Sequence, residues 1–214
     1  MLSSLPSGHA ALDSELPGGG WPRGTLTELL GAHPGIGELQ LVLPALAALT
    51  AQGRRVAWLA PPHLPYAPAL AAAGLDLACL VVVRAPGRRD ALWAAEQALR
   101  AGSCHALLAW LHNPGYNELR RLSLAAATGV RPCVFLFRPP AAAATPSPAS
   151  LRLALEPAAA GLGVSFLKRR GAAPGASLLV PLRTPAHALG RTAFPLPASG
   201  DAGGARRLGV PLHA

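Results

Sequence analysis

The residues best placed to do chemistry lie in one short run, Gly31-Ala32-His33-Pro34-Gly35-Ile36-Gly37-Glu38-Leu39, between an apolar stretch and a helical pattern. Strand, glycine-rich turn and helix start is the order of a phosphate-binding loop. Gly31, Gly35 and Gly37 would let backbone N–H groups turn toward an anion, and the helix N-terminus would add positive potential. Phosphoryl transfer needs more than shape. It needs a lysine on the terminal phosphates and a Ser or Thr hydroxyl on magnesium directly after the last glycine. Glu38 and Leu39 stand there instead. A carboxylate a few ångströms from a phosphate costs on the order of 1 to 4 kcal/mol even when well screened. The residues therefore point to a retained turn joining strand to helix, against residual nucleotide binding as the alternative.

The other reactive groups are scattered. His33 has no second ligand near it in sequence and reads as a solvent-facing loop histidine, so no metal site is expected. Cys79, Cys104 and Cys133 are odd in number and lie in apolar stretches, which suits buried free thiols in a reducing compartment. Arg88-Arg89, Arg120-Arg121 and Lys168-Arg169-Arg170 are candidate contacts to DNA phosphates or to an acidic partner surface, although such isolated pairs and triplets are more often solvated faces.

These groups must be held by a regular alternation. Leu26–Leu30, Val56–Ala60, Cys79–Val83, Ala106–Leu111 and Cys133–Phe137 read as strands. Between them the spacing predicts helices: Leu39, Val42, Leu46 and Leu49 before Gly53, with Pro44 inside; a short one ending at Gly74; Arg89 to Ala101; and Tyr116 to Thr128. Apolar strands alternating with helices predict an α/β fold with a mostly parallel central sheet covered on both faces. Arg138 to Ser150 is a Pro/Ala-rich loop. After it Leu151–Glu156, Gly163–Arg169 and Ala176–Leu182 read as strands with no helices between them, so an antiparallel extension of the sheet is expected. Three segments result: a lead-in over residues 1–24, the α/β domain over 25–183, and a tail over 184–214 whose Pro, Gly, Ala and Arg show no period. Within the tail, Arg206-Arg207-Leu208-Gly209-Val210-Pro211-Leu212 reads either as a linear docking motif or as plain disorder.

Composition narrows the classes. A chain of 214 residues can bury one large core. Its apolar runs are broken by Pro, Gly or Arg well short of the ~18 to 20 residues that span a bilayer. The start has no basic segment followed by an apolar one, so neither a membrane nor a secretory role is expected and the cytoplasm is the expected compartment. The net charge of +9 is carried almost wholly by arginine, Lys168 being the sole lysine. This permits DNA contact without requiring it.

Taken together, Ser7-Gly8-His9-Ala10-Ala11-Leu12-Asp13, Leu16-Pro17-Gly18-Gly19-Gly20-Trp21-Pro22-Arg23-Gly24, Thr27-Glu28-Leu29-Leu30, Gly35-Ile36-Gly37-Glu38-Leu39-Gln40-Leu41 and Phe166-Leu167-Lys168-Arg169-Arg170-Gly171 make residues 5–183 resemble a RecA-type core. Within that superfamily the chain is similar to the ImuA family, SulA/RecA-related accessory proteins of mutagenic translesion synthesis. The resemblance implies a catalytic acid shortly after the second strand and a magnesium-associated Asp at the end of the next. Pro62, between Pro61 and His63, and Trp110 replace them. With the lysine and hydroxyl also gone, no route to phosphoryl transfer remains, and the expectation is a protein that is not an enzyme and uses no cofactor. Lys168 lies where RecA protomers reach a neighbour's nucleotide, and would here contact a protein partner.

What the family implies is an adaptor induced on DNA damage. It would bind an ImuB-type polymerase homologue and RecA, and serve a DnaE-type error-prone polymerase indirectly. Two other classes compete: a SulA-like division inhibitor, and a DNA-binding regulator supported by charge.

Overall fold

The computed structural model describes residues 4–111, 113–171 and 177–182, all within the unit Met1–Thr184. The tail over 184–214, with its candidate docking motif, lies outside the described residues. Two short strands, β1 (Ser4–Leu5) and β2 (Trp21–Pro22), pair antiparallel around helix α1 (Ala10–Glu15). Then come β3 (Thr25–Gly31), α2 (Glu38–Thr50), β4 (Val56–Leu59), α3 (Ala67–Ala72), β5 (Leu80–Val83), α4 (Arg88–Arg100), β6 (Ala106–Trp110), α5 (Tyr116–Ala126) and β7 (Cys133–Arg138). Three strands close the described chain: β8 (Leu151–Ala158), β9 (Gly161–Lys168) and β10 (Ser177–Val180).

The main sheet has the order β10-β9-β8-β3-β7-β6-β4-β5. All pairs from β8 to β5 are parallel, and β9 and β10 add on antiparallel. This is the expected mixed α/β sheet, with one difference. β8 is the start of a hairpin with β9, as expected, yet it runs parallel to β3. The chain leaves β7, crosses through a short 3-10 turn at Pro140–Ala144 and returns to the amino edge of the sheet before entering β8. A parallel return needs a crossover of about a dozen residues, usually a helix. Here the Pro/Ala loop supplies the length without a helical period.

Alternation along each strand sorts the core into two layers. Val56, Trp58, Cys133, Phe135 and Phe137 pack with Leu41, Val42, Ala45, Leu46 and Leu49 of α2. On the opposite face Ala57, Leu59, Val134 and Leu136 meet Ala91, Ala95 and Leu99 of α4 and Leu119, Leu122 and Ala126 of α5. Pro44 lies within α2, facing Gly8, and the helix continues past it. The residues before β3 belong to the first layer as well: Leu5, Leu12, Leu16 and Trp21 are all buried in it. Cys104 and Cys133 are buried, and desolvation pushes their thiols up to about 11 and about 12; Cys79 is half-buried and ends a 3-10 turn ahead of β5. No helix among the described residues is long and apolar enough to cross a membrane.

Candidate functional site

The glycine loop joins the carboxyl end of β3 to the start of α2, at the edge where open α/β sheets usually place ligands. Glu38 opens the helix and folds back over its own loop. Both oxygens of its carboxylate accept the Gly35 N–H, at 2.9 and 3.0 Å, and the residue is 6% exposed. The negative charge also sits in the first turn of α2, where the helix dipole favours an anion. Glu38 thus folds back on its own loop, its carboxylate held by the Gly35 N–H.

Apolar side chains fill what remains. Ile36 lies over Gly31, where an added Cβ would come within 2.8 Å of its Cδ1. Leu182, just beyond β10, lies over Gly37. A Cβ there would meet its Cδ1 at 2.2 Å, and Gly37 has a φ of +107°, so a glycine is required on both counts. Leu39 packs on the core, as do Ile36 and Leu182. Pro62 and Trp110, where the RecA resemblance implies acids, share this edge. Pro62 follows β4 and is exposed, as is His63 beside it. Trp110 ends β6, stacks on Phe137 at 4.5 Å with an interplanar angle of 12°, and meets Trp58 at 5.8 Å. Its ring therefore packs within the sheet edge. His33 is exposed, and the described residues include no group of three or more His, Cys, Asp or Glu arranged to hold a metal.

The basic candidates do not converge. Arg120 and Arg121 are on α5; Arg120 is exposed, while Arg121 pairs with Glu96, which also takes Arg100 at 2.7 Å. Lys168, Arg169 and Arg170 follow one another at the end of β9. The Lys168 ammonium donates to the Ser147 carbonyl at 3.0 Å. Arg169 binds Glu15 through carboxylate and carbonyl, at 2.5 and 3.0 Å, and lies 4.7 Å over the Phe166 ring. Arg170 is exposed beside Arg23 and Arg131.

A buried ionic group was not foreseen from the sequence. Glu28, fully buried on β3, accepts Arg138 Nη1 at 2.8 Å, Arg152 Nε at 2.7 Å and the Ser147 hydroxyl at 2.7 Å. Arg152 also donates to the Ala142 carbonyl at 2.5 Å, so the group fastens the β7–β8 crossover to the central strand. The sequence signal was available: a lone carboxylate inside an apolar strand is buried only with a partner.

The family model described as "Cell division inhibitor SulA" matches residues 24–131, half of the chain. The chain belongs to the SulA family. It is also similar to the RecA protein of Acholeplasma laidlawii, 37% identical over 105 residues, covering 48% of this chain and 30% of that one. RecA of A. laidlawii strain PG-8A matches at 36% over the same coverage. The chain thus spans under a third of the length of the curated relatives it matches. Among solved structures, the crystal structure of SulA from Pseudomonas aeruginosa aligns with a TM-score of 0.45 and 27% identity, covering 53% of this chain and 96% of that one.

Proposed function

We propose that this chain is a non-catalytic adaptor on a degenerate RecA-like core, acting in the SOS response to DNA damage. It binds an ImuB-type polymerase homologue and RecA, and through them helps a DnaE-type polymerase carry out mutagenic translesion synthesis. The observation that carries the reading is the Glu38 carboxylate on the Gly35 N–H, which fills the phosphate seat with a group of the chain itself. Pro62 and Trp110 stand where a catalytic acid and a metal ligand would be needed. The similarity to RecA supports the core assignment. The mechanism is surface mimicry: the chain offers a RecA-like protomer face to its partners without a nucleotide-driven switch.

A second reading, a SulA-like inhibitor that binds the tubulin-like division protein, is favoured by the family match over residues 24–131. Affinity capture of the tagged full chain from DNA-damaged host cells separates the two. The adaptor reading expects the polymerase homologue or RecA among the captured proteins. Recovery of the division protein instead, with filamentous growth on expression, would transfer the function to the second reading.

A further inference from the structure

The amino edge of the main sheet, opposite the glycine loop, gathers arginines that are far apart in sequence. Arg170 follows β9, Arg23 precedes β3, Arg131 precedes β7, and Arg54 and Arg55 lead into β4. Because β9 runs antiparallel to β8, its end lies at this same edge. In strand order the positions run Arg170, Arg23, Arg131, then Arg54 and Arg55. Neighbouring strands are about 4.8 Å apart, so the row from β9 to β4 extends about 24 Å.

These arginines differ from the others. Arg88, Arg100, Arg121, Arg138, Arg152 and Arg169 each pair with a carboxylate. Among the described residues, none of the five in the row does. Their contacts are to neutral groups. Arg23 donates to the Arg131 carbonyl at 3.2 Å and the Val130 carbonyl at 3.4 Å, and Arg54 Nη1 lies 3.2 Å from His105 Nε2. Arg23, Arg131 and Arg170 line a cleft of about 160 Å³ with Ser150. The Ser150 hydroxyl is buried there with no hydrogen-bond partner among the described residues. Arg23, Arg131 and Arg170 bring arginine N–H donors to this cleft, and a phosphate takes such donors on its oxygens.

We infer that this edge binds the phosphate backbone of duplex DNA, independently of sequence, with one phosphate in the Arg23–Arg131–Arg170 cleft and others along the row. An acidic protein surface fits less well. Protein interfaces combine arginine with aromatic anchors, and among the described residues the exposed aromatics, Tyr66, Trp93 and Tyr116, lie on or just ahead of α3, α4 and α5 rather than in this row. The same lack argues against a single strand, whose unstacked bases need aromatic platforms. A duplex stacks its own bases and asks only for cations.

The test is fluorescence anisotropy of a labelled 20-base-pair duplex with the full chain over a series of NaCl concentrations. Wild type should bind with a Kd on the order of 10 µM near physiological salt. The exposed triple variant Arg54→Gln, Arg55→Gln, Arg170→Gln should bind at least about tenfold more weakly, with a log–log salt slope shallower by about 2 to 3. The matching lysine substitutions should restore the slope. Arg84→Gln, Arg100→Gln removes two charges elsewhere and should bind as wild type. An equal loss in that control, a 20-nucleotide single strand bound as tightly as the duplex, polyglutamate competing as well as DNA, or no duplex binding at low salt would each overturn the inference.

Discussion

Replacing Glu28 by Ala should lower the stability of the chain by about 3 to 5 kcal/mol, the cost of leaving buried charges without their partner. In a domain of this size that moves the thermal midpoint down by roughly 10 °C, and measuring it by circular dichroism decides the matter. The carboxylate is fully buried and holds Arg138, Arg152 and Ser147 together. Without it, two guanidiniums remain in a site 5% and 7% exposed. Glu28→Gln keeps the shape and some of the hydrogen bonds, and should fall between wild type and Ala. Removing the charges together, as Glu28→Leu, Arg138→Met, Arg152→Leu, should recover most of the loss, because a buried ionic group often contributes little over well-packed apolar residues. A Glu28→Ala protein as stable as wild type would contradict this account of the crossover.

The second large effect belongs to Trp21. Trp21→Ala should cost about 3 to 5 kcal/mol, as expected for emptying the volume of a buried aromatic. The ring is fully buried, edge-on to Phe135 at 5.1 Å, in the layer shared with Leu5, Leu12 and Leu16. Its indole N–H finds no hydrogen-bond partner among the described residues. Trp21→Phe therefore removes a desolvated donor, worth about 1 to 3 kcal/mol when unpaired, along with part of the ring, and should cost much less than Ala. Urea unfolding of both variants checks the ordering. Equal losses would mean that the indole N–H makes a bond that offsets its burial.

The main sheet was legible because each strand is an apolar run and each helix a 3.6-residue pattern stopped by glycine, as at Gly53, Gly74 and Gly102. The loop was legible for the same reason, and the charge of Glu38 already argued against a nucleotide. What could not be read was where that charge goes: only the structure shows Glu38 returning three residues to take the Gly35 N–H. The direction of β8 was hidden because residues 139–150 carry no period that says whether the chain returns across the sheet. Glu28, Arg138 and Arg152 each sit in an apolar stretch more than ten residues from the next, and only parallel pairing of β3 with both β7 and β8 brings them together. The arginine row is hidden in the same way. Each member precedes or follows a different strand, so in sequence they are scattered charges, and strand order alone makes them neighbours.

With the Glu38 carboxylate on the Gly35 N–H, the glycine loop should take no nucleotide. Titrating the purified full chain with a fluorescent N-methylanthraniloyl ATP in the presence of magnesium tests it most directly. No saturable binding is expected up to about 1 mM, a level corresponding to only about 4 kcal/mol of affinity. Saturable binding in the micromolar range, displaced by unlabelled ATP, would mean that the carboxylate yields its place to a phosphate and that the loop is a nucleotide site.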